Sequence, residues 1–564
     1  MHASIVLLLL VPACARFPAP AREVPTGATF DSLVVRLLSG VEDEEKEPRD
    51  PLRHLTAEGT RAERTRVEAR LRRLEDVDTA ALTSAQRVDY LMLAAHFRRR
   101  LVDLDREEWR RTPMAYLPFD GIYSPLAGGR APKPGDWARV LESLRNFRRA
   151  IELGMRQLEA PPPLWIDMTR RTGEELREFL ERALPAKLGA SPDTLRPRLQ
   201  LAADSALLAL RSYLDFLAEL PAGAPESWAA GEEYYDRVLR EYHLLPYDAE
   251  GLIALGRELH ERTRRQLDSL AAVIAPGTGW RALAERLKEN HPAAAEVRAA
   301  YEKESRRAKA LIIRDDLFRI PPCEELMFID TPPQLRATYA YGGYSSASAE
   351  DSVHTGRFFV TPVEPDMTLE QAQSKLRGHN YGWITVVALH EGYPGHHLQR
   401  VKSFENARGL RHRMSNTYLT EGWALYAEDF MRRAGFYETV DARLTQLRMR
   451  LWRTARVIID PAIHTGRMSY EEAVRLLVDD VGLERADAEA EVNRYTTWPT
   501  QAPSYIVGWV EIERMKEQVQ GARGAAFDER EFHERLLTAG SLPLALLRRE
   551  LAQHYPELLA PQAP

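Results

Sequence analysis

The stretch ALHEGYPGHHLQR, residues 388–400, decides how the rest of the chain is read. It opens with His390 and Glu391, like the zinc-hydrolase pattern His-Glu-x-x-His, which sets two histidines on one helix face beside a metal. Four residues after His390, where the second histidine would stand, the chain has Pro394; His396 and His397 follow late. Proline lacks an N–H, and its ring clashes with the carbonyl four residues back, which here is that of His390. The helix must therefore kink or open, and Gly395 eases the break. On an unbroken helix His397 would lie about 20° from His390, and His396 about 120° away. With Pro394 and Gly395 looped out, His396 would take the place of the usual fourth-residue ligand. Local geometry leaves both histidines open as partners of His390.

A catalytic zinc normally takes three protein ligands and leaves a fourth position for water. Glu391, next in sequence to His390, is placed to take a proton from that water and return it to a leaving amine. The preceding YGWITVVAL (381–389) is strongly apolar. A buried helix with so polar an end calls for a metal or a cleft. The third ligand is expected from NTYLTEGWALYAEDFMRRAG (416–435), read as an amphipathic helix ending at Gly435. Glu421 and Glu428 are seven apart and share a face with Tyr418 and Leu425. Glu421 is favoured as the metal ligand. Glu428 and His397 are the outer-sphere or alternative groups, a carboxylate there orienting a ligand imidazole. The competing explanation is a pair of buried Glu–Arg salt bridges.

Around this centre the chain reads as mainly α. From Asp31 to about Arg319 apolar residues recur at three- and four-residue spacing, as in 79–104, 137–160 and 195–220. Breaks fall at Pro/Gly clusters, and Ser191 and Asp248 look like helix caps or first-turn acids. Near Ile320 the composition shifts to Thr, Tyr, Phe, Val and Gly, predicting a few short strands, with GRFFVTP (356–362) the best. Helices resume near Leu369. The expected architecture is a large multi-helix zincin-like peptidase fold with one small β-sheet next to the metal-binding helix. Its parts are a signal segment (1–20), a helical lobe (30–320) and a catalytic lobe (321–564). A strand beside a metal helix is suited to holding an extended peptide by main-chain hydrogen bonds.

The bulk numbers fit a globular chain able to bury a large core: 564 residues, 44 % hydrophobic, 28 % charged. A net charge of −6 argues against nucleic acid as a partner. The Arg98–Arg100 run reads as a solvated face. At the N-terminus, Ile5–Val11 is apolar but too short to span a bilayer. It suits a secretory signal, with a buried strand as the rival explanation. VPAC ending at Cys14 is similar to a bacterial lipoprotein processing box. Localisation is thus expected in the periplasm or cell envelope, secreted or lipid-anchored, with membrane contact only through a lipid at Cys14. Cys323, the other cysteine, is expected to be a packed thiol.

HEGYPGHHLQ followed by TEGWALYAE closely resembles the bacterial DUF885 family. The resemblance implies a gluzincin-like zinc metallopeptidase, commonly exported or a lipoprotein, with a helical fold similar to the carboxypeptidase Taq and oligopeptidase groups. The family motif His-Glu-x-x-Pro-Gly-His falls on His390, Glu391, Pro394, Gly395 and His396, and so favours His396 over His397. TEGWALYAE is also similar to the Asn-Glu-Gly-Phe-Ala element of the M1 aminopeptidases, which carries their third ligand to Glu421. Segments 231–245, 460–473 and 501–509 look like family segments as well.

An amide hydrolase needs a donor for the developing oxyanion beyond the metal. Tyr505 and His464 are the candidates, each next to a proline break (Pro503, Pro461) in a family-like segment. Arg456 could grip a substrate carboxylate, though an ordinary pair with Asp460 one turn on explains it as well. AYGGYSSAS (340–348) could lie along a substrate. The function expected is zinc-dependent hydrolysis of short peptides, with Glu391 as general base. Alternatives are a zinc amidase acting on a cell-wall or N-acyl amide, and a non-catalytic metal- or peptide-binding envelope lipoprotein.

Overall fold

Helix signals in the sequence are met by caps in the structure, a computed structural model that describes residues 30–39, 50–126, 132–331, 336, 341–365 and 367–560. The signal segment and Cys14 lie outside the described residues. Thr83 and Gln86 close a reciprocal capping box on α1 (Ser84–Asp105). Helices α2 (Pro134–Gln157) and α3 (Arg196–Glu219) then bury one face each in a shared core, with Phe147, Ile151, Leu210 and Tyr213 wholly enclosed. Asp248 caps α4 (Ala249–Ile274) by accepting from the Gly251 amide at 2.8 Å. Ser191 does not cap: its hydroxyl donates back to the Leu188 carbonyl, and the next helix starts five residues later. Helix α5 (Val297–Arg314) closes this part of the chain.

The predicted change of character near residue 320 is a three-stranded sheet of β1 (Glu324–Asp330), β2 (Gly342–Ser345) and β3 (His354–Val360). Its order is β1-β3-β2, with β1 parallel and β2 antiparallel to β3. The central strand is the most buried, and Phe358 and Val360 pack with Tyr301 of α5 and with Ile384. The sheet is thereby fixed against α6 (Tyr381–Glu391), the helix that carries His390.

After α6 come α7 (His396–Ser403), α8 (Thr417–Arg433), α9 (Val440–His464) and α10 (Ser504–Arg523). Two expectations change here. Helix α8 is not amphipathic: every residue from Gly422 to Met431 is buried, because it runs through the interior. Helix α9 does not break at Pro461 but continues to His464.

The largest core joins residues from both sides of position 320. Val88, Leu252, Ile312 and Phe318 share it with Leu389, Trp423, Val507 and Leu547. The buried residues of the core of α2 and α3 come, among the described residues, from 52–217. Cys323 is a buried thiol. Among the described residues, no helix is long and apolar enough to cross a membrane.

Candidate metal centre

Pro394 does end the helix. α6 stops at Glu391, and α7 starts afresh at His396. Between them the chain folds back on itself, the Gly395 amide donating to the Leu389 carbonyl at 3.0 Å. A Cβ on Gly395 would sit 1.9 Å from the His390 carbonyl oxygen, so only glycine allows so tight a return. The turn is held from the far side by Trp423 of α8, whose indole N–H donates to the Pro394 carbonyl at 2.9 Å.

The same helix delivers the acids. α8 crosses α10 almost backbone to backbone. A Cβ on Gly422 would come within 2.4 Å of Gly508 Cα, and one on Gly508 within 1.9 Å of the Tyr418 carbonyl oxygen. Glu421 is the residue next to that crossing. Its Oε2 lies 3.5 Å from His390 Nε2 and 3.3 Å from His396 Nε2. That oxygen is buried and makes no hydrogen bond. Groups held about 2.0–2.1 Å from one tetrahedral ion stand roughly 3.3–3.4 Å from each other, so these separations suit a shared cation. Glu391 joins the group: its carboxylate and ligand nitrogens of His390 and His396 all lie within 4.8 Å of one another.

Electrostatics point the same way. Burial pulls the His390 imidazolium down, but the Glu421 carboxylate facing it and the hydrogen bond to Glu428 outweigh this and hold it at about 9. Burial pushes Glu421 up, yet the two imidazoles keep it well below the carboxylate range. The pocket demands positive charge, which protons or a divalent ion can supply. His390 Nδ1 donates to Glu428 at 2.9 Å, which leaves Nε2 to face Glu421. Arg453 of α9 in turn lies 3.2 Å from Glu428. The buried Glu–Arg pair raised as a competing explanation is thus present at Glu428, behind the histidine, whereas among the described residues the ion pairs of Glu421 are with the two imidazoles.

The two neighbouring histidines part company. His396 faces Glu421, whereas His397 is fully buried against the sheet, its Nε2 2.6 Å from Glu324 Oε2 and its Nδ1 3.1 Å from the Tyr344 hydroxyl. Gly356 of β3 makes room for it, since a Cβ there would touch His397 Nδ1 at 2.5 Å. Glu324 also takes Lys309 Nζ and the Tyr393 hydroxyl. Burial opposes its charge, but His397, Lys309 and Tyr393 hold it at about 2.

Tyr505, in the first turn of α10, stacks on the His390 ring with centroids 6.2 Å apart. Burial and the Glu421 charge raise its hydroxyl, keeping it a proton donor. His464 is elsewhere: one ring nitrogen accepts from the Ala230 amide and the other donates to the Tyr495 carbonyl. Both nitrogens are used, and the ring packs against Trp228 and Tyr235 rather than the histidine cluster. Arg456 pairs with Glu491 at 2.9 Å, not with Asp460, whose Oδ2 instead accepts from Tyr235 and from the Thr500 amide. A cleft of about 360 Å³ opens at His396, with Tyr344 of β2 and Ser346 on its wall. Glu324 and Arg453 support the centre but carry no sequence signal: each acts across the fold, from a position with no local pattern.

A family described as "Bacterial protein of unknown function (DUF885)" matches residues 36–551. No curated protein matches the chain. Among solved structures, a chain from Shewanella oneidensis described as "a putative lipoprotein of unknown function" superposes with a TM-score of 0.77 at 21 % identity. The match covers 93 % of this chain and 100 % of that one. A second, described as "the putative lipoprotein from Colwellia psychrerythraea", gives 0.76 at 17 % identity, over 93 % and 99 % of the two chains. At these identities the likeness is one of fold.

Proposed function

Because the chain belongs to the DUF885 family, whose description states no function, we propose from its own residues that it is a zinc-dependent hydrolase of short peptides with a zincin-like catalytic centre. The observation that carries this reading is the Glu421 Oε2 atom, buried without a hydrogen bond between two imidazole nitrogens at 3.5 and 3.3 Å. A donor set of two histidines and one glutamate is a familiar catalytic zinc set. His390, His396 and Glu421 would hold the ion, with Glu428 and Arg453 fixing the His390 ring behind it. When bound, zinc supplies Lewis acidity, polarising an amide carbonyl and making water easier to deprotonate.

The chain's own groups do the rest. Glu391 takes the proton from the attacking water and passes it to the leaving amine. The Tyr505 hydroxyl donates a hydrogen bond to the oxyanion that develops at the former carbonyl. An edge strand, β2, reaches the cleft through Tyr344, which favours an extended peptide as the substrate. Placement in the cell envelope belongs to the same proposal; it rests on the apolar N-terminal segment and on the descriptions of the two similar structures as lipoproteins.

The test is zinc content and hydrolysis of a short-peptide panel by the wild type and Glu391→Gln. We expect one zinc per chain in both and turnover in the wild type alone. Equal turnover by the variant would remove Glu391 from the role of base. Zinc without any turnover would favour a binding protein instead.

A further inference from the structure

The cleft beside His396 has a chemical character of its own. Its wall includes Arg400, His412 and Arg413, with hydroxyls from Ser346, Ser415 and Thr420, and no aspartate or glutamate. Acids outnumber bases in this chain, 83 to 77, and most of its buried or half-buried arginines face a carboxylate. Arg400 and Arg413 do not: neither forms an ion pair among the described residues. Arg400 is half-buried, donates one N–H to the His412 carbonyl at 3.0 Å, and keeps a buried Nε without any partner. Arg413 is exposed. Burial lowers the Arg400 guanidinium, and burial together with Arg400 and Arg413 lowers the His412 ring. With His412 held neutral beside them, the two guanidiniums give this wall its positive charge, and among the described residues neither is paired with a carboxylate.

Position adds direction. His396 and Arg400 are four apart on α7, so they share a face with about 6 Å of axial rise between them. That is roughly the span of two residues of extended peptide. Building on the hydrolase reading above, we propose that the Arg400–Arg413 cleft binds a carboxylate of the substrate within about two residues of the bond to be cut. The carboxylate is either the free C-terminus of the peptide or an acidic side chain. A guanidinium matches either through paired N–H groups, and the exposed Arg413 on the same wall has its own free for this.

Equilibrium binding to the full chain, treated with a chelator so that no peptide is turned over, tests this apart from catalysis. One probe pair is Ala-Ala-Ala with a free C-terminus and its amide. The other is N-acetylated, amidated Ala-Glu-Ala and Ala-Gln-Ala. At least one pair should show the carboxylate form about tenfold tighter. The first pair responding assigns the C-terminus, the second a side chain. Arg400→Gln and Arg413→Gln should each shrink the ratio below about twofold, while Arg400→Lys should keep part of it. Arg413 is exposed and unpaired, so its variant stays informative even if Arg400→Gln fails to fold. Equal binding within both pairs, or a ratio that survives Arg413→Gln, overturns the proposal. Neither result bears on whether zinc and Glu391 hydrolyse neutral peptides.

Discussion

His396 and His397 are adjacent in sequence and opposite in task. One faces a lone carboxylate oxygen, and the other is enclosed between Glu324 and Tyr344. His396→Ala should abolish stoichiometric zinc with little change in folding, as read by metal analysis and thermal melting. His397→Ala should keep zinc binding but cost about 2–4 kcal/mol of stability, since it strips a partner from a buried carboxylate and leaves a void. If His397→Ala loses zinc while His396→Ala retains it, the assignment is reversed. Glu391→Gln should lower turnover by about 10²–10⁴-fold without loss of metal. Residues that act through spacing were legible at this scale: His390, Glu391, Glu421 and Glu428 follow from a motif and a helical period. Glu324 and Arg453 were not, because each reaches its histidine or glutamate from a different part of the chain, 73 and 25 positions away. His464 misled because a proline before it suggested a break that the helix does not make.

Among the elements, the decisive pair is α8 and α10, which meet at Gly422 and Gly508. Any side chain at either position must push the helices apart, and Glu421 is next to the contact. Gly508→Ala should therefore cost about 1–3 kcal/mol by overpacking. It should also weaken zinc affinity, an effect that a merely unstable surface helix would not produce. Calorimetric zinc titration beside a denaturant melt separates the two. Unchanged affinity in a destabilised protein would show that the crossing does not set the carboxylate. Helix positions were largely readable from apolar period and caps, as Thr83 and Asp248 illustrate. The burial of α8 on all sides was not, because period alone cannot reveal how many neighbours will cover a helix. The parallel pairing of β1 with β3 likewise depends on contacts about thirty residues apart.

Over the whole molecule, stability should carry a signature of the buried Asp460. Burial raises its carboxyl to about 7, only partly offset by Tyr235 and the Thr500 amide. Below about pH 4 both folded and unfolded chains hold this proton. Between about 4 and 7 the unfolded chain has released it and the folded chain keeps it, so stability falls as pH rises, by on the order of 4 kcal/mol in total. Above 7 both are ionised and the penalty is constant. Asp460→Asn should thus be more stable than the wild type at pH 8, with the gain fading toward pH 4 in a series of thermal melts. A pH-independent difference would place the proton elsewhere. The core shared across residue 320 was hidden from the sequence, where only the shift in composition marked that point.

The central claim is that His390, His396 and Glu421 hold one divalent ion. Anomalous diffraction at the zinc absorption edge, from crystals of the zinc-loaded chain, tests it most directly. A single strong peak within bonding distance of His390 Nε2, His396 Nε2 and Glu421 Oε2 is the predicted result. A peak only at other residues, or none under zinc-saturated conditions, would contradict the account.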